Sequence, residues 1–133
     1  MSKCIVKFNR ASSKEIHDSD LFLEDFFQQP NIKNARELTD QIFKENKDFI
    51  NFYDYKGYKI SWSWYDNVFQ TSLDYLSIKS LIDIIESVNP KKIILVGIPN
   101  KYARVLKMYF FSTVVQSPEK YNFFKLFLEF LFN

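Results

Sequence analysis

The sequence predicts an α/β domain of three layers, built on a small and mainly parallel sheet. Three observations carry that expectation. Ile93-Ile94-Leu95-Val96 is an unbroken apolar run, and such a run has no wet face, so it predicts a strand covered on both sides by helices. Amphipathic helical patterns lie directly before and after it. Two further β-branched segments, Lys3–Phe8 and Phe111–Val115, supply the other strands of the sheet.

A chain of 133 residues is one domain's worth and can bury about two thirds of its unfolded surface. Its 18 basic and 16 acidic side chains are interspersed and leave a net charge of +2. That balance argues against a nucleic-acid partner, which needs a basic footprint. The 15 Phe and 8 Tyr against 2 Gly match the coding bias of an AT-rich genome as well as any function. Cys4 and His17 are the only residues of their kinds. They allow no internal disulfide and no clustered metal site, so no metal or other cofactor is expected. No signal peptide and no membrane-length apolar run is present, and the expected location is the cytoplasm. The last fifteen residues are the one segment that suits the inner membrane face.

In chain order, Lys3–Phe8 is the first strand. Asp18 or Ser19 caps a short helix over Asp20–Gln28, with Phe22, Leu23, Phe26 and Phe27 on one face. Pro30 ends it, and a second helix runs from Asn34 to about Asn46 with Leu38, Ile42 and Phe43 inward. Asp54-Tyr55-Lys56-Gly57 has the layout of a type I turn. Tyr53 and Tyr58–Ile60 would be its arms, in a hairpin or a tight loop. A helix starts at Ser63 or Trp64 and continues through Leu76. From Leu76 to Val88 the pattern is the clearest in the chain: Ile78, Leu81, Ile82, Ile85 and Val88 face inward, and Lys79, Ser80, Asp83, Glu86 and Ser87 face out. Asn89-Pro90 stops it, and the central strand follows. Gly97 and Pro99 end that strand, and Asn100 is the expected N-cap of a helix with Tyr102, Val105, Leu106 and Tyr109 inward. Ser117-Pro118-Glu119 starts a terminal helix, residues 118–133, that is apolar around nearly its whole circumference.

Several clusters invite a functional reading, and each has a plainer one beside it. The Gly97-Ile98-Pro99-Asn100 loop lies where open α/β sheets bind ligands, with Lys101 and Arg104 near enough to favour an anion. One glycine is far short of a phosphate fingerprint, which favours a connecting loop over a phosphate site. Trp62 and Trp64 with Tyr53, Tyr55, Tyr58 and Tyr65 have the flat faces of a stacking platform for sugars or bases, yet core packing explains them too. Cys4 and His17 lack a third, orienting group and are weak as nucleophile and base. Asp18, Asp20, Glu24 and Asp25 suit a helix N-terminus facing its dipole. The terminal helix fits a larger protein's core, a membrane interface or a partner, with Phe123, Phe127 and Phe130 as contact candidates. Without a polar tail it looks like a cut end.

The run from Tyr55 to Phe110, YKGYKISWSWYDNVFQTSLDYLSIKSLIDIIESVNPKKIILVGIPNKYARVLKMYF, resembles the N-terminal domain of bacterial surface-polysaccharide glycosyltransferases with two Rossmann domains. The likeness rests on Tyr55, Gly57 and Trp62 ahead of two helices, then Pro90-Lys91-Lys92 and the strand Ile93–Gly97. It covers somewhat under half the chain. It implies a half-Rossmann-like domain on the acceptor side, with the nucleotide-sugar held by a second, C-terminal domain. The chain is then a fragment or degraded copy, inactive alone and completed as an enzyme by that domain. Gly97, Asn100 and Lys101, with Trp62, would bind a lipid-linked or saccharide acceptor. A segment like Tyr121–Phe132 would approach the membrane. The alternative is a non-enzymatic module that docks a partner protein or a membrane surface through the terminal helix.

Overall fold

The computed structural model describes residues 3–55, 61–111 and 114–116, with the side chains of 53–55, 61–62 and 114–116 excepted. Among the described residues nine elements follow one another: β1 (Lys3–Lys7), β2 (Leu21–Phe22), a 3-10 helix (Leu23–Phe27), α1 (Asn31–Glu45), α2 (Lys47–Tyr55), α3 (Ser61–Val88), β3 (Lys92–Val96), α4 (Asn100–Tyr109) and β4 (Val114–Gln116). The protein is mixed α/β with a small parallel sheet, as the sequence predicts. The strands lie in the order β2-β1-β3-β4, and every neighbouring pair is parallel. The chain divides into two compact units, residues 1–23 with 85–133 and residues 24–84.

The sheet belongs to the first unit. Its register sets Cys4 beside Ile93 and Val6 beside Leu95, so these four side chains share one face, and all four are buried. Fully burying an aliphatic side chain contributes about 1.5–3 kcal/mol, so this apolar quartet fixes the pairing. A one-residue slip would turn all of them to the other face. On that other face Ile5, Ile94 and Val96 are only half-buried. The expectation of a strand dry on both sides therefore holds for one side of β3. Ile85, at the end of α3, and Leu106 of α4 are also fully buried.

The second unit is helical. Its polar interior is stitched to backbone carbonyls: Ser77 Oγ donates to Phe26 O at 2.6 Å, and Asn31 Nδ2 donates to the same oxygen at 2.8 Å. Thr39, fully buried on α1, donates to Ala35 O at 2.7 Å. These bonds let small polar residues sit in the interior without an unmet hydrogen bond. Ile78, Leu81 and Ile82 of α3 are buried, as their spacing predicts.

Six sequence expectations need correction. The helix over Asp20–Gln28 is instead a two-residue strand and a 3-10 helix. Val6 and Lys7 pair with Leu21 and Phe22, and this ladder takes the backbone bonds a helix would have used. The segment read as the arm of a hairpin or tight loop before Asp54 is α2, which runs through Tyr55; residues 56–60 lie outside the described residues. The two helical stretches meeting at Leu76 are one 28-residue helix, because neither Gly nor Pro interrupts 61–88. On α4, Pro99 occupies the cap position and Asn100 is the first helical residue, without a side-chain cap bond. Val105 and Tyr109, expected inward, are exposed, and Ala103 is buried in their place. The third strand begins at Val114 and leaves Phe111 exposed. The terminal helix, with Phe123, Phe127 and Phe130, lies outside the described residues.

Candidate functional site

The strand order decides where a ligand would sit. β1 and β3 are adjacent and parallel, so their carboxyl ends lie side by side, joined one residue further by Phe8 N donating to Val96 O at 3.2 Å. From there the chain leaves in opposite directions. After β1 it goes to β2 on one side; after β3 it goes through α4 to β4 on the other. In open α/β sheets that divergence is the switch point at which ligands bind.

Two loops meet this point. On the β3 side, Gly97 turns the chain at φ +67°, a left-handed conformation that glycine adopts without strain. A side chain there would meet only Phe8 Cβ, at 3.8 Å. Ile98 is buried, and Pro99, at φ −56° and ψ 144°, directs the chain into α4. The N–H groups of Tyr102 and Ala103 both close onto Pro99 O at 3.0 Å, so Asn100 and Lys101 lead the helix at its positive end. Both side chains are exposed, and the Lys101 ammonium lies 4.7 Å from the centre of the Tyr102 ring. The structure thus brings Gly97, Asn100 and Lys101 together. Trp62 lies on α3 in the helical unit, and its side chain is outside the described residues.

On the β1 side, a feature not legible in the sequence organises the loop. Lys7 ends β1, is buried, and its ammonium lies 2.6 Å from Asp20 Oδ2, itself buried. Lys7 also donates to the Glu15 carbonyl. His17 N donates to Asp20 Oδ2 at 2.8 Å, and Asp20 N returns a bond to His17 O at 3.0 Å. Burial alone would raise the Asp20 pKa. The Lys7 hydrogen bond, the His17 N–H and the charges of Lys7 and His17 outweigh it and hold the carboxyl below its ordinary range. Asp20 Oδ1 is buried and accepts no hydrogen bond. Asn9 closes the near end of the loop by accepting Ser12 N at 2.8 Å, and the Arg10 guanidinium covers the Phe22 ring at 4.3 Å. The hint in the sequence was Lys7 itself, a charge at the inward end of a strand. Of the acidic group, Glu24 and Asp25 lie in the first turn of the 3-10 helix, as a helix N-terminus would have them, whereas Asp20 is half of an ion pair.

Cys4 is buried, and burial, then the Asp20 charge, push its thiol pKa up. That is the opposite of an activated nucleophile. His17 and Glu15 side chains are both exposed, 3.6 Å apart. Among the described residues no three His, Cys, Asp or Glu side chains cluster as metal ligands. No helix among them is long and apolar enough to cross a membrane.

The aromatic cluster of the helical unit is accounted for by packing where it is described. Trp64 stacks on Phe49, centroids 5.3 Å apart and planes 14° from parallel. Tyr65 leans on Phe43 at 5.3 Å and donates to Asp40 Oδ1 at 2.8 Å. A cleft of about 250 Å³ remains between Ile42, Phe49, Ile50, Trp64 and Val68. The side chains of Trp62, Tyr53, Tyr55 and Tyr58 lie outside the described residues.

Comparison with known proteins finds no matching family model, no matching curated protein and no matching solved structure.

Proposed function

We propose that the sheet unit is a half-Rossmann-like ligand-binding domain, and that its ligand is the saccharide acceptor of a surface-carbohydrate glycosyltransferase. The observation that carries the reading is the divergence of the chain after β1 and β3. The chemistry at that point suits a polar, uncharged or weakly anionic ligand. The leading end of α4 offers N–H donors, the Asn100 amide offers both a donor and an acceptor, and Lys101 offers a cation. Phe8, 40% exposed across from Gly97, offers a ring face against which a sugar can pack. The glycosyltransferase role comes from the resemblance of Tyr55–Phe110, which assigns the nucleotide-sugar to a second domain. The chain is therefore expected to bind an acceptor and not to transfer sugar by itself.

A titration of 15N-labelled protein with octyl glucoside and octyl N-acetylglucosaminide, below their micellar concentrations, tests this. Saturable shifts confined to Phe8, Gly97, Asn100 and Lys101 are the expected result. Shifts absent there, or spread over the surface, would overturn it.

The second reading is a module that docks a partner or membrane through residues 118–133. What favours it is Phe111, 86% exposed on the path toward that segment. Vesicle co-sedimentation with and without residues 118–133 tests it, and equal binding would remove it.

A further inference from the structure

We propose that the outward face of α4 is a docking surface for an anionic lipid bilayer. The helix hides one stripe, Tyr102, Ala103 and Leu106, all buried. The other residues of the helix are exposed, and beyond it Phe110 is half-buried and Phe111 exposed. Lys101, Arg104 and Lys107 are exposed cations. Between them Met108 is 78% exposed, Val105 44%, and Phe111, two residues past the helix, 86%. Lys101, Arg104, Lys107 and Met108 recur at steps of three and four, the spacing that stacks side chains on one helical face, and Phe111 follows just past the helix end. From Asn100 to Phe111 there is no acidic residue. Glu86 of α3 accepts the Tyr109 hydroxyl at the edge of this face.

Large apolar side chains this exposed and this close together are uncommon on a protein surface and mark a contact. Charge selects an anionic partner, since α4 presents three exposed cations and carries no acid of its own. The interleaving selects a bilayer over an acidic protein. Lys and Arg stems lie along an apolar surface and carry their charges up to the phosphate level, while Met and Phe enter the acyl boundary between them. This surface is formed by residues 101–111 alone, and it does not depend on the saccharide reading of the switch point.

The test is co-sedimentation of the full chain with phosphatidylcholine vesicles that hold roughly a quarter phosphatidylglycerol, against phosphatidylcholine alone. The expected result is binding to the anionic vesicles only, weakened in roughly 0.5 M NaCl. Arg104→Glu with Lys107→Glu, and separately Met108→Glu with Phe111→Glu, should each lower partitioning about tenfold or more. All four positions are exposed, and circular dichroism checks that the fold survives; Arg104→Gln with Lys107→Gln repeats the test more gently. No binding, equal binding to neutral vesicles, or binding unchanged by these substitutions overturns the proposal. So does binding lost only when 118–133 is removed, or capture by polyglutamate in place of vesicles. The glucoside titration, repeated on the Met108→Glu, Phe111→Glu protein, reads the switch point independently, so either proposal can fail alone.

Discussion

Lys7 and Asp20, thirteen positions apart in sequence, meet at 2.6 Å as a buried ion pair where β1 ends. The bond explains the local fold better than any helix propensity does. It draws the 9–19 loop back over the strand end and delivers Leu21 and Phe22 to the edge of β1. A buried pair is weak evidence of net stability, because desolvating both charges offsets much of their attraction. Breaking it from one side is a different matter, since a lone charge is then left in the interior.

Lys7→Met and Asp20→Asn should each destabilise the protein by about 3–5 kcal/mol in urea unfolding. The double replacement Lys7→Met, Asp20→Leu should recover most of that loss, because no buried charge is then unpaired. A double variant as unstable as the sum of the singles would show that the pair does not act as a unit.

The same pair fixes a pH dependence. Asp20 has a folded pKa below its ordinary value of 3.8, so the folded protein holds that proton less tightly than the unfolded chain does. Its stabilisation is therefore complete above the ordinary value and is lost as pH falls through the lower, folded one. The stability gap between the wild-type chain and Asp20→Asn should be constant near neutrality and close below about pH 4. Other carboxylates titrate in both proteins and cancel in the comparison. A gap that widens with acid would contradict the assignment.

How much of this was legible can be argued residue by residue. The β3 run and the 78-81-82-85 stripe of α3 were readable because local pattern and tertiary role agree there. Asp20 was misread because its partner lies in another element, and a charge's partner has no local signature. Leu21 and Phe22 look helical beside Phe26, but the sheet edge claimed them, an instance of tertiary context overriding propensity. Asp54-Tyr55-Lys56-Gly57 has the layout of a turn with Tyr53 as an arm, yet Tyr53, Asp54 and Tyr55 belong to α2, from which Phe49 stacks on Trp64. On α4, Val105 and Tyr109 fit the apolar period as well as Ala103 does. Periodicity therefore missed the side left exposed. The turn at Gly97 was readable because a glycine ending a buried strand is a local signal.

Cys4 gives a chemical test of the sheet. Its thiol is buried, and burial and the Asp20 charge raise its pKa above 9.0. The native protein should react with Ellman's reagent at pH 8 about a hundredfold more slowly than the urea-unfolded chain. Above pH 9 the unfolded thiol ionises first, so this group lowers stability as pH rises. Stoichiometric labelling of the native protein within the dead time would mean that β1 is not covered as described.

Among the described residues, two hold left-handed backbone, one on each side of β3: Asn89 at φ +51° and Gly97 at φ +67°. Asn89 ends α3, its N–H bonded to Ile85 O at 2.9 Å, and a left-handed residue there is a common way to leave a helix. The conformation costs an L-residue roughly 1–2 kcal/mol, least for Asn and nothing for Gly. Asn89→Gly should therefore be neutral or slightly stabilising, and Asn89→Val destabilising by about 1–2 kcal/mol. Gly97→Ala separates backbone from space: the added methyl would be 3.8 Å from Phe8 Cβ, an ordinary contact, so the cost should be the backbone's alone, about 1 kcal/mol. Gly97→Asn should cost less than Gly97→Ala despite its larger side chain. Urea unfolding of the four variants checks the order. If Gly97→Asn is the worse of the pair, crowding against Phe8 governs this turn and the left-handed backbone does not.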